Sequence, residues 1–316
     1  MTSSCGQRRA PRVIWRRKEQ KMQKKIILEA RVNEYAPRTS NPNIPYTADE
    51  IVEAAVAARK AGAAILHYHA RTADGGATNT VEANAEIIRE VRQATDLLIL
   101  PTLGFISNDA DAMKRIDTVA TLALDPATKP DIAPIDTGSA NLELWDAETR
   151  RFENPERLYL NTTESLAHYA RTLAEKGVKP KLVSWSVGFT RRAIALMDAG
   201  LVRGPAYFLL HLTGGRYITG HPPTEAGLMA HLAFLPDDRP IEWTVNCLGG
   251  NLLNIAPAIC RLGGHMAIGI GDYPYREFGT PTNAEVISRA VEIAQKVGRE
   301  PATPQEARAI LELDAA

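Results

Sequence analysis

From Lys24 onward one pattern recurs along the chain. A short run rich in Val, Ile and Leu ends in polar or glycine residues, and a longer stretch with helical spacing follows. The apolar runs lie at 26–32, 64–69, 97–102, 132–136, 182–187, 207–212, 241–247 and 266–270, and the helical stretches at 47–62, 80–94, 109–122, 163–177, 191–200, 224–234, 252–262 and 283–297. Strands buried on both faces read as continuous apolar runs, and helices between them act as the crossovers of a parallel sheet. The first helix carries its own start signal. Thr47 and Glu50 have capping-box spacing, Ile51, Ala54, Ala55 and Ala58 share one face, and Gly62 ends the segment. Strict alternation of eight strands and eight helices predicts an α/β fold, the (β/α)8 TIM barrel. An open doubly wound sheet would show a glycine-rich phosphate turn after the first strand, and residues 30–34 (ARVNE) are not one.

Two long loops break the regularity, a Pro/Asn-rich one at 33–46 after strand one and one at 140–161 after strand four that reads as an inserted hairpin. Both follow the carboxyl ends of strands, where barrel enzymes keep their sites.

Composition narrows the class. The chain has 316 residues, 37 basic against 37 acidic, and three cysteines (Cys5, Cys247, Cys260) too scattered for a disulfide framework. The charge is uneven: residues 1–25 hold nine basic residues and one acid. Residues 1–23 have no apolar core of a secretory signal, so a disordered basic extension is expected there, ahead of a single barrel domain at 24–316. An overall balance argues against a nucleic-acid partner, and no apolar run approaches the ~18 residues that span a bilayer. The expected location is the cytoplasm.

A barrel exposes the residues at the carboxyl ends of its strands. These are Glu34, His67, His69, Arg71, Thr102, Asp136, Ser139, Asn141, Ser184, Ser186, His211, Thr213, Asn246 and Asp272, a polar ring at the mouth of an apolar barrel. His67 and His69 stand at i and i+2 of a strand and so project to the same side. Two adjacent imidazoles suit a divalent metal, most commonly zinc, or form a hydrogen-bonded pair. Asp272 follows Gly269-Ile270-Gly271 and is a base, a ligand or a cap. Thr102, Ser139 and Asn141 are candidate donors to a carboxylate or phosphate. Cys247 reads as a buried structural thiol.

The segment NPNIPYTADEIVEAAVAARKAGAAILHYHAR (41–71), Gly138-Ser139-Ala140-Asn141, Gly263-Gly264-His265 and the tail from Asn283 to Arg308 together resemble the β-keto acid cleavage enzymes over about residues 25–313. The resemblance implies a zinc-dependent, usually tetrameric barrel that converts a β-keto acid and acetyl-CoA into acetoacetate and a new acyl-CoA. It implies His67 and His69 as zinc ligands and Asp272 as the base assisted by Glu34. Thr102, Ser139, Asn141 and Arg71 would bind substrate. Three positions depart from the family pattern: Gly271 where the third ligand is Glu, Ala267 where an Arg partners the aspartate, and Gly250 where a stretch after strand seven often ends in Arg. Two other readings start from the same residues. One is a metal-dependent amidohydrolase-like hydrolase, which would carry its His-x-His on strand one and further histidines on strands five and six. The other is a barrel that binds a carboxylate without catalysis, motivated by Gly271 and Ala267.

Overall fold

The computed structural model describes residues 24–104 and 112–313. The expected extension at 1–23 lies outside the described residues, as do the first residues of the helix expected at 109–122. Eight parallel strands form the barrel: β1 (Leu28–Arg31), β2 (Ile65–Tyr68), β3 (Leu98–Pro101), β4 (Ile132–Asp136), β9 (Lys179–Ser184), β10 (Ala206–Thr213), β11 (Ile241–Leu248) and β12 (His265–Ile268). Their order is β3-β2-β1-β12-β11-β10-β9-β4. The seam between β3 and β4 is closed by Asp131, whose amide donates to the Ile99 carbonyl (3.0 Å) and whose carboxylate accepts from the Ile99 amide (2.9 Å). This is the barrel expected from the alternation.

The crossovers are α1 (Ala48–Ala61), α2 (Val81–Ala94), α3 (Asp117–Leu122), α4 (Thr163–Lys176), α5 (Val187–Asp198), α6 (Glu225–Leu232), α7 (Ala256–Arg261) and α8 (Asn283–Lys296), followed by α9 (Pro304–Ile310). Thr47 caps α1 in the expected box with Glu50, and Gly62 closes it at φ 112°. Two helices are shorter than their spacing implied. A 3-10 turn (Ala112–Ile116) precedes α3, and the segment from Leu252 divides before α7. There Pro257 lacks an N–H, so it fits only the first turn of a new helix. Among the described residues no helix is long and apolar enough to cross a membrane.

The inserted segment after β4 folds as two small antiparallel pairs, β5 (Ala140–Asn141) with β8 (Leu158–Tyr159) and β6 (Leu144–Asp146) with β7 (Arg151–Glu153). It leans over the mouth of the barrel, where Leu142 and Tyr159 pack with Val183, Trp185 and Leu209.

One expectation is corrected. The barrel interior is not uniformly apolar below its mouth. Its middle holds Glu29 and Arg31 from β1 and Lys181 from β9, all buried, with an ion pair running across the barrel from Glu29 to Lys181. Glu29 and Arg31 alternate with the outward Leu28 and Ala30, so both project inward.

Candidate metal centre

Three donor side chains meet at the mouth of the barrel. Register pairs Arg31 of β1 with His67 of β2, so the chain leaving β1 runs beside the end of β2. The Asn33 side chain fastens the two ends. It accepts from the His69 amide (2.9 Å) and donates to the His69 carbonyl (2.8 Å) and the Pro45 carbonyl (3.1 Å). Arg71 completes the fastening by donating to the carbonyls of Glu34 (3.0 Å), Ala36 (2.8 Å) and Asn33 (3.2 Å). Glu34 is thereby held at φ 41°, in the left-handed region that costs a non-glycine residue strain. Its carboxylate lies 3.2 Å from His67 Nε2 and 2.9 Å from His69 Nε2.

The histidine rings stand nearly perpendicular, 5.2 Å apart at their centroids, on the same side of the wall. His67 Nδ1 lies 2.9 Å from the Leu100 carbonyl. A carbonyl only accepts, so Nδ1 carries the proton and Nε2 presents its lone pair toward Glu34. Burial, reinforced by Arg31, lowers the His67 pKa and keeps the ring neutral, as a ligand must be. Burial alone would raise the Glu34 pKa, but the Arg31 guanidinium beside it opposes this, and the carboxyl is held well below its usual range.

One donor atom from each of Glu34, His67 and His69 can be chosen so that all lie within 4.8 Å of one another. Four ligands placed tetrahedrally at ~2.0 Å from zinc are ~3.3 Å apart, close to the separations seen. A neutral, tautomer-fixed imidazole, a second imidazole and an ionised carboxylate are the donor set of an open zinc site. The residues present therefore fit a divalent cation.

Asp272, just past β12, lies beside this cluster. Arg31 Nε donates to its Oδ2 at 2.7 Å, Arg31 Nη2 reaches Glu34 Oε1 at 2.8 Å, and Asn246 Nδ2 approaches Asp272 Oδ1 at 3.3 Å. Burial pushes the Asp272 pKa up to about 7, with Arg31 working against the shift. A carboxylate poised near neutrality can take up and return a proton at physiological pH.

These groups face a cavity of about 500 Å³ whose other walls include Tyr35, Thr102, Gly104, Asp136, Tyr159, Trp185, His211 and Gly249. Asp136 accepts from Trp185 Nε1 (2.6 Å) and the Tyr159 hydroxyl (2.9 Å). Burial lowers the His211 pKa to about 3, leaving a neutral ring 4.0 Å from Trp185.

The sequence-named residues divide into two groups. Glu34, His67, His69, Thr102 and Asp272 all line the cavity. Arg71, Ser139 and Asn141 are not among its lining residues. Arg71 spends its guanidinium on the carbonyls after β1. Ser139 Oγ donates to the Asn161 carbonyl (3.1 Å) and accepts from its amide (2.9 Å). Asn141 is exposed on β5, paired with β8. The inserted segment takes these two polar residues as anchors and leaves Asp136 facing the cavity. Ser186 does not close a strand but stands at the start of α5. Cys247 is buried, its thiol pushed up to about 12 by burial, as a structural thiol should be.

The departures at 267 and 271 have spatial explanations. A Cβ on Gly271 would fall 2.6 Å from the Asn33 carbonyl carbon and 2.7 Å from the Glu34 nitrogen, so the backbone carrying Glu34 fills the space a side chain there would need. Glu29 pairs with Ala267 in register, and the charge partner of Asp272 comes from Arg31, two residues further along β1. Sequence reading missed Glu29, Arg31 and Lys181. The available signal was a pair of charges at i and i+2 inside an otherwise buried strand.

Residues 25–313 match the family described as beta-keto acid cleavage enzyme. A 3-keto-5-aminohexanoate cleavage enzyme of Acetoanaerobium sticklandii is 30% identical over 297 residues, which cover 92% of this chain and 98% of the relative. A 3-oxoadipate:acetyl-CoA acetyltransferase of Cupriavidus necator is 26% identical over 299 residues, covering 92% and 96%. Among solved structures, apo ObcA superposes with a TM-score of 0.70 at 13% identity, covering 86% of this chain and 66% of ObcA, a likeness of fold.

Proposed function

Because the chain belongs to the beta-keto acid cleavage enzyme family, we propose that it condenses a β-keto acid with acetyl-CoA and splits the product into acetoacetate and a new acyl-CoA. The observation that carries this reading is the meeting of Glu34, His67 and His69 beside a buried aspartate in one cavity. In this reading the three side chains hold zinc. When bound, the ion polarises the ketone and acidifies the carbon between ketone and carboxylate.

The chain's own residues do the rest. Asp272 removes a proton from that carbon, and the carbanion attacks the thioester carbonyl of acetyl-CoA. A carbon–carbon bond forms and CoA thiolate leaves. The thiolate adds to the original ketone carbon, the bond to the central carbon breaks, and the new acyl-CoA departs. Asp272 returns its proton to the carbanion left behind, which becomes acetoacetate. Arg31 keeps the Asp272 carboxylate turned toward the cavity, and Thr102 offers a hydroxyl to the substrate carboxylate. The apolar and aromatic walls exclude the water that would hydrolyse the thioester.

The two competing readings are weaker. An amidohydrolase-like site would want a histidine on the fifth barrel strand, and Lys179–Ser184 has none. A barrel emptied of catalytic groups at 267 and 271 would leave Asp272 unpartnered, whereas Arg31 partners it. The reading extends to a cytoplasmic homotetramer, which sedimentation of the purified chain would test.

The direct test is turnover of a panel of β-keto acids by the zinc-loaded protein, following acetoacetate and acyl-CoA together. Equimolar formation of both, strictly dependent on acetyl-CoA, is the expected result. Release of neither product, or turnover without acetyl-CoA, would contradict it.

A further inference from the structure

The guanidinium of Arg31 is a planar fork with its nitrogens in a fixed arrangement. Each terminal nitrogen and Nε is committed to a different carboxylate: Nε to Asp272 Oδ2 at 2.7 Å, Nη2 to Glu34 Oε1 at 2.8 Å and Nη1 to Glu29 Oε1 at 3.2 Å. One side chain thus fixes a metal-ligating carboxylate and the proposed base relative to each other. Glu29 is the third arm. Its other oxygen, Oε2, accepts from Lys181 Nζ, which reaches across the barrel from β9 and lies 5.2 Å from the Tyr207 ring centroid. Glu29 and Lys181 are essentially inaccessible, at 0% and 1%.

Stability alone does not call for such a chain of charges. Barrel interiors are ordinarily filled by layers of branched apolar side chains. Burying paired ions costs desolvation that apolar residues of similar volume avoid. Arg31 and Lys181 reach the floor of the cavity, Glu29 lies between them, and the chain ends on two groups whose spacing the chemistry depends on.

We propose that Glu29 and Lys181 are positioning residues. Acting through Arg31, they set the Glu34 and Asp272 carboxylates at one fixed separation, so that metal binding and proton removal depend on the same buried ion chain. This rests on the functional reading above for the zinc held by Glu34 and for the role of Asp272, which the two arms of the test read separately.

The test compares Glu29→Gln, Lys181→Met, the double variant and Arg31→Lys in the full-length chain. Zinc affinity is read by chelator competition, and the Asp272 arm by deuterium exchange at C2 of acetoacetate in D2O without CoA. Folding is checked by thermal midpoint. Breaking the pair singly leaves an uncompensated buried charge and lowers the midpoint. The double variant is neutral again and recovers most of it. The folded double variant should nonetheless bind zinc about 10–100-fold more weakly, as substitutions behind metal ligands do. Its exchange rate should fall by a comparable factor, with the KM for acetoacetate changed by no more than about two-fold, because a misplaced base affects rate more than binding. Arg31→Lys keeps the charge but loses the fork, and should show the same paired losses whether or not the double variant folds. A folded double variant or Arg31→Lys with wild-type zinc affinity and wild-type exchange would overturn the proposal, as would loss of one readout alone. Absence of exchange in the wild type would instead contradict the functional reading, and the zinc arm would still judge the positioning role.

Discussion

Replacing Asp272 by asparagine lowers kcat by about 10²–10⁴-fold, the range lost when a positioned acid–base group is removed, while zinc remains bound. Asparagine keeps the size of the side chain and an acceptor for Arg31 Nε, so the geometry around the Arg31 fork survives and the missing element is the exchangeable proton. The pH dependence carries a second signature. In the metal-free chain the Asp272 pKa lies at about 7. Base competence therefore grows as pH rises through neutrality, and a bound cation draws the midpoint lower by favouring the ionised form. Wild-type turnover should climb on that acidic limb, and the residual turnover of Asp272→Asn should lack it. Stability runs the opposite way. A carboxyl whose folded-state pKa lies above its unfolded value stabilises most below the ordinary carboxylate range, and that contribution is lost as pH rises through about 7. Calorimetry of the metal-free wild type should show this loss between about pH 4 and 7, with no further change above, and Asp272→Asn should not show it.

His67→Ala and Glu34→Gln remove zinc from the purified protein and abolish turnover at stoichiometric metal. Each deletes one of three protein donors, so the loss of affinity should exceed the ~10–100-fold typical of residues behind the ligands. A strong chelator should silence the wild type, and zinc should restore it. Glu34→Gln is the more telling substitution. It preserves the volume at the strained φ of 41° but lacks the negative charge that Arg31 stabilises. Metal analysis and chelator titration check both variants. Full zinc occupancy in Glu34→Gln would remove Glu34 from the ligand set.

Much of the fold was legible because its signals are local. The Thr47–Glu50 box, the glycine after α1 and the apolar runs depend on neighbours in sequence, and they survive in the structure. The strand expected at 182–187 was misplaced. It runs Lys179–Ser184, because a strand that sends Lys181 into the barrel does not look apolar at its start. Trp185 looks like strand but lies beyond its end. The histidine pair was legible from the two-residue period of a strand. The role of Glu34 was only half so, since nothing local reveals that the backbone of residues 33 and 34 fills the space over Gly271. Arg71, Ser139 and Asn141 were placed by their distance from strand ends. Which way they turn is decided by non-local partners: the carbonyls after β1 for Arg71, Asn161 for Ser139 and the β8 strand for Asn141. The ion chain through Arg31 joins β1 to β9, strands that are not neighbours in the sheet, and no sequence period reports a contact across a barrel.

X-ray absorption at the zinc edge of the reconstituted protein, paired with the same measurement on Glu34→Gln, tests the central claim most directly. The account predicts one ion bonded at about 2.0–2.1 Å to two imidazoles and a carboxylate oxygen in the wild type, and loss of the imidazole scattering in Glu34→Gln at stoichiometric metal. A wild-type spectrum without two imidazole neighbours, or one unchanged by the Glu34 substitution, would contradict it.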